Sequence, residues 1–184
     1  MNVISLSIAG YALRPWQPSD APAMQRHLDN PNIGRNMADW YPMSGYTLPM
    51  AEDWCNGGAD AFGGPGGLNW AIAYGAEAVG SCGVISMSGF ERCNAEIGYW
   101  LSELHWGRGV GTAVVAELLH QAFAVPALTH VFAPIHSHNL ASQRVCAKNG
   151  MVNEGLRRLS VMKAGQSIDT VVWAAYRERG LALA

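Results

Sequence analysis

A glycine-rich segment past the middle of the chain constrains its fold more than any other feature. The sequence from His105 to Ala113 reads HWGRGVGTA and runs directly into an apolar segment with helical spacing. Glycines at 107, 109 and 111 allow backbone conformations that other residues avoid, so successive N–H groups can point at one anion. Arg108 adds positive charge, and the N-terminus of the following helix adds a partial positive charge. The segment therefore predicts a pyrophosphate-binding site.

The flanking sequence favours this interpretation over the alternative, a simple tight turn. Ala95–Leu101 is a strand-like run, and Val110, Val114 and Leu118 recur afterwards at helical spacing. A Walker loop needs a lysine and then Ser or Thr after its last glycine, but Thr112-Ala113 stands there. A dinucleotide motif follows the first strand of its fold, which this segment does not. Strand, glycine turn and helix together predict a phosphate site of another kind.

Three segments, the glycine-rich one among them, carry a resemblance to a known family. Trp106–Gly111 is similar to the coenzyme A (CoA) loop of the GCN5-related N-acetyltransferase (GNAT) superfamily, Gln/Arg-x-x-Gly-x-Gly/Ala, with tryptophan in place of the usual first residue. Asn139–Met151 resembles the later helix of that family, in which asparagine is a good N-cap and Gly150 a good C-terminal stop. The tryptophan and the LRPW segment from Leu13 resemble the RimJ/RimL-like branch, which acetylates protein N-termini among other amines.

The resemblance implies a fold, a co-substrate and a set of binding residues. The expected fold is α/β (α+β): a mixed, mostly antiparallel sheet flanked by helices, with a splayed CoA cleft. Acetyl-CoA is the expected co-substrate, its pantetheine arm lying along the strand that ends near Trp100 and Leu101, and no metal is needed. The predicted cofactor-binding residues are Trp100, Leu101, Gly107, Arg108, Gly109, Val110, Gly111, Thr112, Asn139 and Ser142.

Glu96 is the best candidate for the general base, because it is the one carboxylate in an otherwise apolar strand. It also resembles the strand glutamate that serves as base in histone-acetylating relatives. The alternative is a carboxylate that is salt-bridged or contacts substrate without taking a proton. In the RimJ/RimL-like branch another glutamate, on the strand after the last long helix, is the proposed base. This chain reads LSVM there, at residues 159–162, so that alternative base is absent.

Ser142 is the candidate for stabilising the departing thiolate. Many relatives use a tyrosine as the acid, and Cys146 occupies that position in this chain. Ser142 matches the serine proposed in the RimL-like enzymes, while its alternative role is the third residue of a helix capped by Asn139. His136 and His138 precede that helix and could relay protons, although loop histidines more often face solvent.

Composition limits the remaining functions. The chain has 184 residues, 49% hydrophobic and 14% charged, with a formal net charge of −2, so we predict a single domain over residues 1–184. The absence of a basic block argues against nucleic-acid binding. Neither a secretory signal nor a membrane-spanning apolar run is evident, and the four cysteines are scattered. These features predict a cytoplasmic protein with free thiols, no metal site and no membrane partner.

The hydrophobic pattern predicts the order of helices and strands. A glycine-rich stretch at 57–67 is interpreted as a flexible connector, and Trp40 with Tyr41 could border an acceptor pocket. The predicted strands are 11–16, 69–74, 77–86, 95–101, 129–134, 154–162 and 167–176, and the predicted helices are 21–29, 47–55, 109–124 and 140–149.

The leading hypothesis is an acetyl-CoA-dependent N-acetyltransferase acting on a primary amine, either a protein N-terminus or a small molecule. One alternative is a transferase for longer acyl groups such as succinyl. Another is a non-catalytic CoA-binding module, which would explain why Cys146 stands at the tyrosine position. The oligomeric state is open as well, and a homodimer formed through exposed aromatic residues is one alternative to a monomer.

Overall fold

One mixed sheet organises the fold. The computed structural model describes residues 2–38, 41–42, 44–57 and 68–177. Within those residues the strands are β1 (Ile4–Ser5), β2 (Tyr11–Arg14), β3 (Leu68–Tyr74), β4 (Glu77–Ser86), β5 (Asn94–Leu101), β6 (His130–His136), β7 (Val152–Lys163) and β8 (Gln166–Tyr176). Their order in the sheet is β1-β2-β3-β4-β5-β6-β8-β7. All neighbours in the described sheet are antiparallel except β5 and β6.

Helices pack on the sheet as two separate hydrophobic layers. The helices are α1 (Ala21–Leu28), α2 (Pro31–Gly34), α3 (Leu48–Cys55), α4 (Val110–Phe123) and α5 (Leu140–Lys148). Successive side chains of a strand point to opposite faces of the sheet. Accordingly Ile97 and Leu101 of β5 pack in the core that contains Val114 of α4, whereas Trp100 packs in the core that contains Met24 of α1.

The separation of β5 from β6 is the feature that positions the site. These two strands pair in parallel over three positions, the last of which joins Glu96 to Phe132. Beyond that pair β5 continues to Leu101 and β6 to His136, without further pairing between the two strands in the described sheet. Pro134 lacks the N–H that a continued ladder would need at its position. A wedge-shaped opening therefore begins just after Glu96, with one free edge of β5 facing it.

The predicted α/β fold, with its mostly antiparallel sheet between helices, is confirmed. Predicted bounds differ from the observed ones by up to two residues at each end. Strand β2 ends at Arg14 rather than Trp16 because Pro15 cannot donate a ladder hydrogen bond. The short β1 and α2 were not predicted, since two to four residues carry too little periodicity. Trp40 and residues 58–67 of the predicted connector lie outside the described residues.

Candidate functional site

The glycine-rich segment forms a backbone cradle at the start of α4. Gly107 and Gly109 have φ values of +73° and +82°, the left-handed region that glycine enters without strain. The first helical hydrogen bond runs from the Ala113 N–H to the Gly109 carbonyl at 3.1 Å. The N–H groups of Val110, Gly111 and Thr112 therefore have no partner inside the helix. Together with the helix dipole, they can bind an anion.

The cradle faces a cleft of about 550 Å³ between the end of β5 and the start of α5. The charged residues along its lining, Arg35, Arg144 and Lys148, are all cationic, which suits an anionic ligand. Arg108 is exposed and is not among the described residues that line this cleft. The other nine predicted cofactor-binding residues do line it: Trp100, Leu101, Gly107, Gly109, Val110, Gly111, Thr112, Asn139 and Ser142.

A polar network anchors the segment that precedes the cradle. The Tyr11 hydroxyl and His105 Nδ1 are 2.7 Å apart, and Ser102 Oγ lies 2.9 Å from His27 Nδ1. His27 Nε2 in turn lies 2.9 Å from Glu77, and this hydrogen bond, together with one from Arg26, lowers the pKa of the Glu77 carboxyl. Ser102 is only 2% exposed. Because no substrate can reach it, the Ser–His–Glu arrangement is a structural anchor rather than a hydrolytic triad.

Trp106 fixes the end of β5 against the cradle. Its indole Nε1 donates a hydrogen bond of 2.8 Å to the Leu101 carbonyl. This bond uses the last carbonyl of the strand, so the chain turns there through the short helix Glu103–His105. The tryptophan that replaces the usual first residue of the loop therefore ties the loop to the end of β5. Trp100 is buried, with only 3% of its surface exposed, so it can meet a ligand in the cleft mainly through its backbone.

Ser142 lies at the junction of two clefts. It lines both the cleft beside the cradle and a second cleft of about 360 Å³. Asn139 Oδ1 accepts a hydrogen bond of 3.1 Å from the Ser142 backbone N–H, which is the predicted N-cap. The cap uses the serine amide and leaves its hydroxyl for other partners. The Tyr99 hydroxyl donates to Ser142 Oγ at 3.4 Å, a contact that the sequence did not predict.

Glu96 lies in the second cleft, mostly buried, on the β5 side of the opening. Burial raises the pKa of its carboxyl, and the charge of Arg157 on β7 partly opposes that shift. A raised pKa makes a carboxylate a better proton acceptor. The described residues place no salt-bridge partner within 4 Å of Glu96, so the salt-bridged alternative is not what the geometry shows.

His136 differs from the expectation for a solvent-facing loop histidine. It is the last residue of β6, is only 9% exposed, and lines the second cleft. Its Nδ1 has no hydrogen-bond partner among the described residues. The pKa of the His136 imidazole is lowered, mainly by burial and to a smaller extent by the charge of the nearby His138. The solvent-facing alternative was wrong for His136 because β6 extends two residues further than its apolar pattern indicated, which carries this side chain into the protein.

Cys146, at the position of the relatives' tyrosine, is 1% exposed and lines the second cleft. Burial raises the pKa of its thiol to about 12, so it stays protonated and unreactive near neutral pH. All four cysteines are free thiols. Over the described part of the chain, no group of three or more His, Cys, Asp and Glu side chains could hold a metal ion. None of the described helices is long and apolar enough to cross a membrane.

The sequence did not identify several residues that line the two clefts. Arg144 and Lys148 are four residues apart on α5, a spacing that places them on one helix face. That spacing was the available signal for the positive charge of the cleft. Tyr99 and Arg35 carried no local signal, because only the packing of distant segments brings them to the clefts.

Comparisons with known proteins agree with this geometry. Residues 11–152 match the family model described as an acetyltransferase (GNAT) domain. The chain belongs to this GNAT family. It is 29% identical over 115 residues to the uncharacterized N-acetyltransferase YoaA of Bacillus subtilis, covering 61% of this chain and 64% of that protein. It is 36% identical over 75 residues to the ribosomal-protein-serine acetyltransferase of Escherichia coli, covering 40% and 42%. The matches thus span less than two thirds of these relatives.

A solved structure of higher coverage supports the same branch. The structure of Mycobacterium smegmatis RimJ in complex with CoA-disulfide superposes with a TM-score of 0.81 and 26% identity. The alignment covers 96% of this chain and 87% of RimJ. The resemblance to the RimJ/RimL-like branch of the GNAT superfamily is therefore confirmed. The RimJ structure contains a CoA derivative.

Proposed function

We propose that this GNAT chain transfers the acetyl group of acetyl-CoA to a primary amine. One observation carries the proposal: the unpaired N–H groups at the start of α4 face the same opening that begins where β5 leaves β6, and Glu96 lies beside it. The anion cradle can bind a phosphate group, and the free strand edge can bind an extended acyl arm. The carboxylate on the same opening can take a proton from an amine. The acetyltransferase relatives support this combination.

In this proposal the cradle and the strand edge hold the donor. The N–H groups at 107–112 bind the pyrophosphate, and Arg144 with Lys148 adds positive charge from α5. The pantetheine arm lies along the free edge of β5, near Trp100 and Leu101, and ends beside Ser142. Fixing both reactants in one opening supplies much of the rate enhancement in such transfers.

The chemistry falls to side chains near the junction of the two clefts. Glu96 takes the proton of the incoming ammonium, directly or through water, and its raised pKa suits it to that task. The free amine attacks the thioester carbonyl and forms the C–N bond, and the nitrogen then releases its second proton to water. The C–S bond breaks, and the electron pair stays on sulfur. Ser142 stabilises the resulting thiolate by donating a hydrogen bond from its hydroxyl.

The acceptor is a protein N-terminus or a small-molecule amine. The ribosomal-protein-serine acetyltransferase relative favours the protein N-terminus. We further propose that residues 1–184 act as one domain in the cytoplasm, where the four free thiols would stay reduced.

The proposal is tested by measuring thiol release from acetyl-CoA with a panel of N-terminal peptides, polyamines and amino sugars, each product being identified by mass spectrometry. We expect amine-dependent thiol release and a product heavier by one acetyl group. A parallel series with succinyl-CoA distinguishes the longer-acyl alternative. Tight CoA binding by calorimetry with no thiol release for any amine would refute the enzyme and support the binding module.

A further inference from the structure

Tyr99 projects from β5 to the junction of the two clefts, where it meets Ser142. Both residues line both clefts, and the phenol hydroxyl donates to the serine Oγ at 3.4 Å. The two residues lie 43 positions apart in the chain, so this contact exists only because α5 packs against α4 and brings Ser142 across the cleft from β5. Burial raises the pKa of the Tyr99 phenol to about 12. The hydroxyl therefore keeps its proton near neutral pH and acts as a donor.

Gly111 of the cradle provides the space for this side chain. A Cβ added to Gly111 would lie 3.3 Å from Tyr99 Cε2 and 3.4 Å from its hydroxyl oxygen, which is tight for a methyl group. Gly111 has a helical conformation and needs no glycine for its backbone. The close approach of the Tyr99 ring explains why a glycine stands here, and it joins the anion cradle to the phenol in one packed unit.

The phenol restricts what the serine hydroxyl can do. A serine hydroxyl has one proton to donate and two lone pairs that accept. Its Oγ accepts from Tyr99, and its backbone N–H is bonded to Asn139. With one lone pair engaged on the Tyr99 side, the serine proton is free to point into the cleft. The relatives' tyrosine cannot supply a second donor, because Cys146 stands in its place.

We propose that Tyr99 is a positioning residue for acyl transfer, whose hydroxyl orients the Ser142 hydroxyl toward the thioester sulfur. This inference rests on the proposed function. In the step, the C–N bond forms and the C–S bond breaks with its electron pair on sulfur. The ammonium loses one proton through Glu96 to water before the attack, and the nitrogen releases a second proton to water once the C–N bond has formed. The thiolate takes one proton from water, so the net release is one proton. Ser142 and Tyr99 keep their protons throughout.

The test is Tyr99→Phe, which keeps the ring that packs on Gly111 and removes only the hydroxyl. Losing the orientation of one hydrogen-bond donor should lower kcat about 3- to 10-fold. The KM for acetyl-CoA and the melting temperature should stay at their wild-type values, whereas a purely structural role would lower the melting temperature. Tyr176→Phe is the matched control, because it removes a phenol that bonds to the exposed Glu154 outside both clefts.

A double-mutant cycle makes the test specific. Because Tyr99 acts through Ser142, adding Tyr99→Phe to Ser142→Ala should cause no further loss of kcat. Additive losses, or a Tyr99→Phe enzyme as active as the wild type, would overturn the positioning role while leaving the acetyltransferase proposal intact. A wild-type protein that releases no thiol with any amine would instead refute the proposed function, and this inference with it.

Discussion

Gly109→Val tests whether the cradle binds CoA through its backbone. Gly109 lies at φ +82° immediately before α4. An added Cβ would have one neighbour within 4 Å, Ile8 Cδ1 at 3.7 Å, which is an ordinary contact. The substitution therefore acts on the backbone and not by collision. A left-handed conformation costs an L-residue about 1–2 kcal/mol, and β-branched residues avoid it most strongly.

Two effects of known size follow from this strain. If valine is held in the left-handed conformation, the free energy of unfolding falls by about 1–2 kcal/mol, which lowers the melting temperature by about 2–8 °C. If the backbone relaxes instead, the neighbouring N–H groups turn away from the anion. Losing even one hydrogen bond to a charged group, worth about 1.5–3 kcal/mol, weakens CoA binding about 10- to 150-fold. We expect relaxation and the loss of affinity.

Gly75→Val provides the matched control for Gly109→Val. Gly75 has φ +58° in the turn between β3 and β4, and an added Cβ would meet nothing within 4 Å. Its variant should lose similar stability and keep full CoA affinity. Thermal melting and calorimetric titration with CoA would be measured on both proteins. A folded Gly109→Val protein with wild-type affinity, or an equal loss of affinity in Gly75→Val, would refute the backbone cradle.

Three further predictions concern the two clefts. Glu96→Gln should lower turnover about 10²- to 10⁴-fold. Because the raised pKa of Glu96 means that its charged form destabilises the folded protein at neutral pH, the variant should also have a higher melting temperature than the wild type at pH 7. That difference in melting temperature should vanish below pH 4.5, the ordinary carboxyl pKa. Ser142→Ala should lower kcat more than it raises the acetyl-CoA KM, and since the cap uses its amide, only Asn139→Ala should lower the melting temperature. Because the pKa of His136 is lowered in the folded protein, the unfolded chain binds more protons than the folded one as pH falls through 6.5, the ordinary imidazole pKa, and the folded protein loses stability. His136→Gln should therefore reduce the fall in melting temperature between pH 7 and pH 5. Unchanged turnover in Glu96→Gln would contradict the first prediction, and a lower melting temperature in Ser142→Ala the second. An unchanged dependence of melting temperature on pH in His136→Gln would contradict the third.

The parts of the site that the sequence predicted are governed by local chemistry. Glycine at 107 and 109 follows from the positive φ that the turn requires, and asparagine at 139 follows from the free N–H groups of the next helix. Both effects act within a few residues. The strand before the cradle and the helix after it were likewise predicted correctly, because their apolar spacing covers eight and fourteen residues.

The parts that the sequence missed depend on how distant segments dock. The cleft cations Arg144, Lys148 and Arg35 were missed, whereas Arg108, predicted beside the phosphate because it lies next to the glycines, stays a prediction and is not among the described residues that line the cleft. A neighbouring position in sequence does not fix the direction of a long side chain. Tyr99 meets Ser142, and His136 becomes buried, only once β5 and β6 have separated and α5 has packed against the opening.

The two ends of the proposed site are built from different groups, so one end can change without the other. In the proposed function the donor end is built mainly from backbone N–H groups in one continuous segment, and these groups do not depend on the identity of the acceptor-side residues. The second cleft draws Glu96 from β5, His136 from β6 and Arg157 from β7, three strands that the order β5-β6-β8-β7 spreads across half the sheet. Each of these side chains can be replaced without altering the cradle. Acceptor preference can therefore diverge among proteins that keep the same glycine segment, which is why that segment predicts CoA binding but not the amine.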